Sequence, residues 1–318
     1  MKLKRLSKIL LLSSILTLGI GCAKNENVST EKENYKISLI LDEGGVNDQS
    51  FNQSAWEGAL EAKEKYGVEV NYIEAKQESD YASNIESAID QEADLIIGVG
   101  FKLANTIEEA AKLYPNQKFA AIDCAYENIP SNVQPILFNE EESGYAAGLV
   151  AANMTKTNVI GFVGGMSIPS VDGFKIGFER ALKEENPNIK LLTQYANSFT
   201  DSSKGRVIAE QMINNKADII FTAGGGVNNG VWEACKEKGI KSIGVDMPSN
   251  QFEPNTIITS ALKNVGVGVE LTIKDLVNEQ FEGGKAKMFD LSNGGVGYEI
   301  TDHLSQDLIK YVDSKIKK

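Results

Sequence analysis

The chain has 318 residues, enough for about two domains, and a formal net charge of −12 at pH 7. An acidic protein repels nucleic-acid phosphates, so binding to DNA or RNA is disfavoured, and the charge is best interpreted as a source of solubility. A single histidine, His303, excludes zinc sites built on a histidine pair and leaves any Ser-His-Asp triad dependent on that residue.

The first 22 residues have the pattern of a secretory signal. Four basic residues precede an apolar run over 9–20, which is shorter than the roughly 20 residues that span a bilayer. Cys22 follows and predicts a lipid anchor, although Gly19 stands where an aliphatic residue is usual; a plain signal peptide is the alternative. Residues 23–35 are polar and aperiodic, which predicts a flexible tether.

The next segment, residues 35–41, is an apolar run typical of a buried parallel strand, and an amphipathic helical pattern follows it. Ser50 and Gln53 have the spacing of a capping box at the start of that helix. The intervening loop places Asn47 and Asp48 at the carboxyl end of the strand, where open α/β sheets bind ligands. Both side chains could bind a ligand, and both are also common turn residues.

The chain is internally duplicated. Residues 93–97 recur at 217–221, 124 positions later, and residues 119–123 recur at 242–246. Each half alternates short β-branched runs with helical patterns, which predicts a parallel sheet wound with helices. We therefore expect an α/β fold of two similar Rossmann-like lobes that close on a ligand like a clamshell. Ten strands are predicted, near 36–41, 68–73, 94–99, 118–123, 134–138, 158–163, 190–195, 218–223, 241–245 and 257–262.

The duplication also sets the predicted lobe boundaries. The N-terminal lobe takes 36–140 plus about 262–290, and the C-terminal lobe takes 141–261 plus about 291–318. Asp123 and Asp246 fall at equivalent strand ends, where they either face the cleft or cap the next turn. Cys124 and Cys235 lie in different halves and are expected to be small buried hydrophobic residues rather than a disulfide.

Three consecutive glycines, Gly224, Gly225 and Gly226, follow an apolar strand and precede a helix, so the backbone there can approach a ligand closely. Asp246 lies 20 residues after Gly226, as does the acidic residue that holds a ribose in dinucleotide enzymes. The third glycine of that fingerprint is missing, and so is a Gly-Lys-Ser/Thr phosphate cradle. The pattern predicts recognition of hydroxyl groups without phosphate, and no cofactor is expected.

The first loop resembles the Bmp (basic membrane protein) family of lipoproteins, which includes the purine nucleoside receptors of bacterial ABC transporters. The matching residues are Asp42, Gly44, Asp48, Ser50, Phe51, Asn52 and Gly58. The resemblance continues at Ala223–Gly225 and Gly244–Asp246, but the segment Met247–Gln251 is inserted after the second of these. It implies a type I periplasmic-binding-protein clamshell, monomeric and anchored on the extracytoplasmic face of the cell membrane. Such a protein delivers purine nucleosides to an ABC permease. Asp48 could accept a hydrogen bond from the N1–H of a 6-oxopurine, which favours guanosine and inosine as ligands.

The resemblance also implies roles for individual residues. Trp56 and Phe199 would stack on the base, Asn47 and Asp48 would bind its edge, and Lys263 would touch a ribose oxygen. Without the resemblance, packing is the more common explanation for the two aromatic residues, and a solvated strand end is the alternative for Lys263. Two aspartates with an aromatic residue also suit a sugar, and the same aspartates could form the acid–base pair of a hydrolase. A surface adhesin is a further alternative.

Overall fold

The computed structural model describes residues 34–317, and these form two six-stranded sheets and nine α-helices. The predicted signal peptide, Cys22 and most of the predicted tether lie outside the described residues. The strands in chain order are β1 (Lys36–Leu41), β2 (Glu69–Glu74), β3 (Leu95–Val99), β4 (Lys118–Ile122), β5 (Val133–Phe138), β6 (Val159–Gly164), β7 (Lys190–Tyr195), β8 (Ile219–Ala223), β9 (Lys241–Asp246), β10 (Ile257–Lys263), β11 (Lys287–Phe289) and β12 (Val296–Tyr298).

The helices cover both faces of the sheets, as in other parallel α/β proteins. In chain order they are α1 (Phe51–Tyr66), α2 (Tyr81–Asp90), α3 (Ala104–Leu113), α4 (Glu140–Met154), α5 (Pro169–Glu185), α6 (Ser202–Asn214), α7 (Val227–Lys238), α8 (Val265–Val277) and α9 (Gln306–Ile316). Each sheet has a hydrophobic core on each face, because its central strands are buried on both sides. Every residue of β3 and of β8 is buried.

The two sheets have matching strand orders and differ only at one edge strand, which confirms the two similar lobes predicted from the duplication. The first sheet has the order β11-β5-β4-β3-β1-β2 and is parallel throughout. The second has the order β12-β10-β9-β8-β6-β7, with only β12 antiparallel to its neighbour. The ten predicted strands are confirmed to within about two residues. The edge strands β11 and β12 were not predicted, because three residues are too few to show a periodic pattern.

Within residues 34–317 the chain crosses between the lobes three times, between β5 and α4, between β10 and α8, and between β11 and β12. Helix α4 packs against α5 of the second lobe, and α8 packs against α1 of the first. The second of these pairs is very close: a Cβ on Gly58 would lie 2.1 Å from the carbonyl oxygen of Gly266. Any side chain at Gly58 would therefore force α1 away from α8.

The two cysteines of the described region are buried free thiols, which confirms the prediction made for them. Cys124 lies in the first lobe just after β4, and Cys235 lies on α7 in the second. Burial raises the pKa of each thiol to about 12, so neither is reactive at neutral pH.

Candidate ligand-binding site

A cavity lies between the lobes, where the carboxyl ends of strands from both sheets meet. The space not occupied by protein atoms there is about 600 Å³, counted together with the open solvent at its mouth. Its wall is formed by Asp42, Gly44, Asp48, Phe51, Asn52, Gly100, Phe101, Asp123, Ile168, Ser170, Val171, Phe174, Phe199, Ala223, Gly224, Gly225, Val245, Asp246 and Lys263. Six of the strands end at this cavity, as expected for ligand sites in open α/β sheets.

Asp48 organises the loop before α1. Its carboxylate accepts hydrogen bonds from the backbone N–H groups of Ser50 at 2.9 Å, Asn52 at 2.9 Å and Gln53 at 3.1 Å. The predicted capping box of Ser50 and Gln53 is therefore wrong: within the described residues the Ser50 side chain makes no capping bond, and Asp48 satisfies the first N–H groups of the helix. Burial raises the pKa of Asp48 to about 6, although the three N–H donors favour its charged form.

Asp42 and Asn52 form the wall beside Asp48. Oδ1 of Asp42 accepts from the backbone N–H of Gly44 at 2.9 Å and from Nδ2 of Asn52 at 2.8 Å. The same Nδ2 also donates to Oδ2 of Asp48 at 3.3 Å. Burial raises the pKa of Asp42 as well. This side of the cavity therefore presents mainly hydrogen-bond acceptors to a ligand.

Asp246 enters the cavity from the second lobe and is 6% exposed. Its Oδ2 accepts a hydrogen bond from the hydroxyl of Ser50, which belongs to the first lobe. Burial raises the pKa of Asp246 to about 7, and the charges of Asp48 and Asp123 act in the same direction. Asp246 therefore titrates close to neutral pH and joins the two lobes at the cavity.

Lys263 ends β10 at a crossing between the lobes and is 2% exposed, so it is not the solvated strand-end residue that was the alternative. Its Nζ bonds to both carboxylate oxygens of Asp123, at 2.7 and 2.5 Å, and lies 2.8 Å from Oε1 of Glu140. Burial by itself lowers the pKa of Lys263, but Asp123, Glu140 and Asp246 together raise it above its ordinary value. The lysine is charged and neutralises part of a carboxylate-rich site.

Asp123 and Asp246 both line the cavity, at equivalent strand ends of the two lobes. Their backbones share a left-handed conformation, with φ of 60° and 64°. Aspartate tolerates this region better than most residues, so the same local geometry is built twice. The structure brings both residues to the cavity, and their joint role in holding a ligand stays a prediction.

Four phenylalanines, Phe51, Phe101, Phe174 and Phe199, form the apolar part of the wall. The rings of Phe101 and Phe199, one from each lobe, have centroids 6.4 Å apart at an angle of 62°. The ring of Phe51 lies 5.2 Å from Nζ of Lys263. Planar ligands can therefore contact aromatic surfaces from both lobes.

Trp56 and Asn47 do not lie where the sequence predicted. In the described structure neither residue contributes to the cavity wall. Helix α1 begins at Phe51, and Trp56 is five residues later, about 1.4 turns away, where it is half-buried against the hydrophobic core of the first lobe. There its ring packs edge-on against Tyr72, with centroids 4.9 Å apart. The side chain of Asn47 is exposed on the loop.

The glycines after β8 bring the second-lobe backbone to the cavity. Gly225 has φ of 58°, and a Cβ there would lie 3.0 Å from the carbonyl oxygen of Phe199. The buried side chain of Asn228 holds this turn, because its Oδ1 accepts from the N–H of Gly224 at 2.9 Å and from Thr222 at 2.7 Å. The glycines thus allow the loop that carries Phe199 to pack closely.

Comparison with known proteins identifies the family. A family model described as Bmp, ABC transporter substrate-binding protein PnrA-like, matches residues 35–318. The chain belongs to the Bmp family. It is 33% identical to the ABC transporter nucleoside-binding protein BmpA of Lactococcus lactis subsp. cremoris, over 96% of this chain and 95% of that protein. It is 36% identical to Basic membrane protein A of Borreliella burgdorferi, over 98% of this chain and 91% of that one.

A solved structure also resembles this chain and supports its place among the substrate-binding proteins of ABC transporters. The solute-binding protein of an ABC transporter system from Aeropyrum pernix K1 matches with a TM-score of 0.78 and 30% identity, over 89% of this chain and 86% of that one. Bmp proteins are extracytoplasmic, membrane-associated substrate-binding proteins of ABC transporters and not enzymes, so the hydrolase alternative is wrong. None of the helices within 34–317 is long and apolar enough to cross a membrane.

Some residues in the cavity wall or bound to it were not predicted from the sequence. Phe51 and Asn52 stand in the motif that carries the Bmp resemblance, so the signal for them was present. Phe101 follows the buried strand β3, and its position after a strand end was the only available signal. Glu140, which binds Lys263, begins a run of three glutamates that looks like a solvated helix start, and no local pattern distinguishes it.

Proposed function

We propose that this Bmp-family protein captures purine nucleosides, preferably guanosine and inosine, in the cavity between its lobes and delivers them to an ABC permease. A lipid on Cys22 would hold it at the cell membrane, as a monomer. The observation that carries the proposal is that one cavity combines aromatic rings with paired carboxylates from opposite lobes. A nucleoside needs both, because its base is planar and its ribose carries hydroxyl donors.

The base is assigned to the phenylalanines. Phe199 comes from the second lobe, and Phe51 and Phe101 come from the first, so a base among them would contact both lobes. Stacking of a base on an aromatic side chain contributes roughly 1–3 kcal/mol. Because the rings belong to different lobes, the base would also stabilise the closed arrangement.

The ribose is assigned to Asp123, Asp246 and Lys263. A hydroxyl that donates to a carboxylate contributes roughly 1.5–3 kcal/mol. Lys263 lies in the wall beside the place assigned to the ribose and forms an ion pair with the buried Asp123. Gly224 and Gly225 complete this side of the site with backbone that can approach the ligand closely.

The electrostatics favour a neutral ligand. Four aspartates line the cavity, at positions 42, 48, 123 and 246, whereas the lysine of the wall is already bound to Asp123 and Glu140. A phosphate would meet like charges in a partly buried site, where they interact more strongly than in water. Nucleotides are therefore expected to bind far more weakly than nucleosides.

The base edge faces the carboxylates of Asp42 or Asp48. A 6-oxopurine presents an N1–H that donates to a carboxylate, whereas adenosine presents an unprotonated N1 that repels it. This difference supports the preference for guanosine and inosine. Asn47, which sequence reasoning placed at the base edge, takes no part in the proposal because it lies outside the cavity wall.

Calorimetry with a ligand panel tests the proposal. We expect micromolar or tighter binding of guanosine and inosine, weaker binding of adenosine, and little binding of uridine, guanosine monophosphate or ribose. Release of free base or ribose should be undetectable after long incubation. Tight binding of ribose without the nucleosides would favour the sugar alternative, and binding of none of these would leave an adhesin as the better explanation.

The lipid anchor and the oligomeric state need separate measurements. The full-length protein expressed in a bacterial host should partition with membranes and carry a mass increase at Cys22 consistent with a diacylglyceryl group. Cys22→Ser should release it into the soluble fraction. Light scattering of the chain from residue 24 onward should give the mass of a monomer.

A further inference from the structure

We propose that an exposed aromatic patch beside the mouth of the cavity is a docking surface for the extracytoplasmic face of the ABC permease. The aromatic patch consists of Trp56 and Leu60 on α1 and Tyr72 on β2. Leu60 is 38% exposed and Tyr72 is 39% exposed, and the rings of Trp56 and Tyr72 have centroids 4.9 Å apart. Leu60 lies one helical turn after Trp56, on the same side of α1. The three side chains therefore form one continuous apolar surface.

Neither folding nor the cavity explains why this surface is apolar. Single exposed hydrophobic residues are common, but contiguous ones that include aromatic side chains mark interaction sites. Among the residues that the structure describes, none of the three contributes to the cavity wall. The other large exposed hydrophobic residues of the first lobe, Leu113 on α3 and Met288 on β11, belong to elements outside the aromatic patch.

The aromatic patch lies on the open side of the clamshell. The three crossings between the lobes start from or end at β5, β10, β11 and β12, which are at one edge of each sheet. Strand β2 forms the opposite edge of the first sheet, and β7 forms that of the second. A partner that spans this mouth meets both lobes in one arrangement only when they are closed. It can therefore distinguish the closed protein from the open one.

A hydrogen bond joins the strand that carries the aromatic patch to the loop that lines the cavity. Glu74 lies two residues after Tyr72, on the same face of β2. Its Oε1 accepts from the backbone N–H of Val46 at 2.8 Å, and a Cβ on Gly45 would lie 3.3 Å from that oxygen. Val46 precedes Asp48 by two positions in the loop between β1 and α1. A protein docked on the aromatic patch would therefore contact the strand that holds this loop.

The charges around the aromatic patch determine which partner fits it. Glu61 is paired with Lys65 at 2.7 Å. Three other exposed carboxylates at its border form no ion pair within residues 34–317, namely Glu57, Glu64 and Glu74. A second copy of this chain would oppose these carboxylates with its own, and an anionic lipid surface would be repelled in the same way. A surface with lysine or arginine around an apolar centre is complementary, and an ABC permease is the partner that the family implies.

The first test separates transport from ligand binding, and it rests on the proposed nucleoside function. A strain of the bacterium that encodes this chain, with the native gene deleted, receives the full-length wild type or the double variant Leu60→Ser/Tyr72→Ser. Calorimetry should give both proteins the same dissociation constant for guanosine. Cells with the double variant should take up labelled guanosine about 10-fold more slowly at equal amounts of membrane-bound protein, because two contacts of the docking surface are lost.

The matched control is Leu113→Ser. Leu113 is 73% exposed at the end of α3 in the same lobe and lies outside the aromatic patch. Its replacement removes a similar exposed side chain, so uptake should stay within about twofold of the wild type. Should the double variant not fold, Glu57→Lys reverses an exposed charge at the border of the aromatic patch. It should lower uptake at least about threefold and leave guanosine binding unchanged.

The second test identifies the occupant and does not depend on the ligand. Full-length protein carrying Tyr72→benzoylphenylalanine is irradiated in membranes of the same strain, with Leu113→benzoylphenylalanine as the control, and the adducts are identified by mass spectrometry. We expect an adduct with an ABC permease subunit from position 72 and none from position 113. An adduct of position 72 with a second copy or with lipid, or no adduct there, would overturn the inference.

The two tests distinguish failure of this inference from failure of the proposed function. If the double variant supports uptake at the wild-type rate, the aromatic patch is not the docking surface. If it loses affinity for guanosine in calorimetry, the patch serves the ligand site and the inference is also wrong. If the wild type neither binds guanosine nor restores its uptake, the proposed ligand is wrong. The adducts at position 72 then decide by themselves whether the permease docks there.

Discussion

The hydroxyl of Ser50 in the first lobe donates a hydrogen bond to the carboxylate of Asp246 in the second. Ser50 is fully buried and lies outside the cavity wall, so this bond joins the lobes rather than contacting the ligand. The backbone N–H of Ser50 is bound in turn to Asp48 at 2.9 Å. The arrangement therefore couples one carboxylate of each lobe through a single serine.

Ser50→Ala should weaken nucleoside binding by roughly 10-fold to 100-fold, because a hydrogen bond to a charged group contributes about 1.5–3 kcal/mol and here stabilises the closed form. The effect should appear mainly as faster dissociation in stopped-flow measurements. Ser83→Ala is the control, since its hydroxyl bonds to the backbone of Asp80 on the exposed side of the first lobe. Equal dissociation rates for the wild type and Ser50→Ala would show that the bond does not contribute to closure.

The aromatic residues allow a paired test on one helix. Phe51→Ala should weaken guanosine binding by about 1–3 kcal/mol, because a stacking surface is lost from the cavity. Trp56→Ala, five residues later, should leave the affinity within about threefold, since its ring packs against Tyr72 outside the cavity wall. Calorimetry on both variants measures this difference. A larger loss at Trp56 than at Phe51 would restore the stacking role that the sequence suggested for the tryptophan.

This pair shows what the sequence could and could not predict about the site. The internal duplication predicted equivalent strand ends for Asp123 and Asp246, and the structure has both residues at such ends, because strand ends depend on topology, which a repeat preserves. Whether Phe51 or Trp56 reaches the cavity depends on the residue at which α1 begins, because that residue decides which side of the helix each side chain occupies. Asp48 caps the helix from two positions before the expected cap, and this hydrogen bonding is not visible in the spacing of residues.

Contacts between residues far apart in the chain are a second reason why the site could not be fully predicted from the sequence. Lys263 and Glu140 lie near two crossings between the lobes and are 123 positions apart, so no local pattern could pair them. The buried environment of Lys263 also contradicts what its polar side chain suggests at a strand end. Features that depend on a repeat or on a buried strand could be predicted from the sequence. Features that depend on contacts between side chains of separate segments could not.

Lys263 should be essential for stability as well as for binding. Lys263→Met removes the cation that neutralises Asp123 and Glu140, and leaving buried charges without their partner costs about 3–5 kcal/mol. Urea unfolding should show this loss in the free protein. Lys112→Met is the control, because its ion pair with Glu108 is on the surface and contributes at most about 0.5 kcal/mol. Similar free energies of unfolding for both variants would mean that the buried network is not coupled to folding.

The sugar of the ligand tests the two equivalent aspartates. Guanosine should bind about 10-fold to 100-fold more tightly than 2′-deoxyguanosine or 3′-deoxyguanosine, because each lost hydroxyl removes a bond to a carboxylate. Asp246→Asn should reduce this discrimination while the protein stays folded, since the amide oxygen still accepts the hydrogen bond from Ser50. Calorimetry of the three nucleosides on the wild type, Asp123→Asn and Asp246→Asn decides the matter. Equal binding of all three to the wild type would place the ribose elsewhere.

Lowering the pH should change stability and binding in opposite directions. Burial raises the pKa of Asp246 to about 7 and that of Asp48 to about 6, from an ordinary value of 3.8. Between pH 8 and pH 5 the folded state therefore takes up protons that the unfolded state does not, and the free protein should become more stable as the pH falls. The melting temperature measured at low salt should rise over this window.

A ligand that donates to Asp246 needs the ionised carboxylate, so binding should weaken over the same window. With a pKa of about 7 the dissociation constant for guanosine should rise about tenfold between pH 8 and pH 6. Asp246→Asn removes this titration and should flatten both the affinity profile and most of the rise in melting temperature. If the wild type binds guanosine equally at pH 8 and pH 6, the ionised form of Asp246 is not the one that holds the ligand.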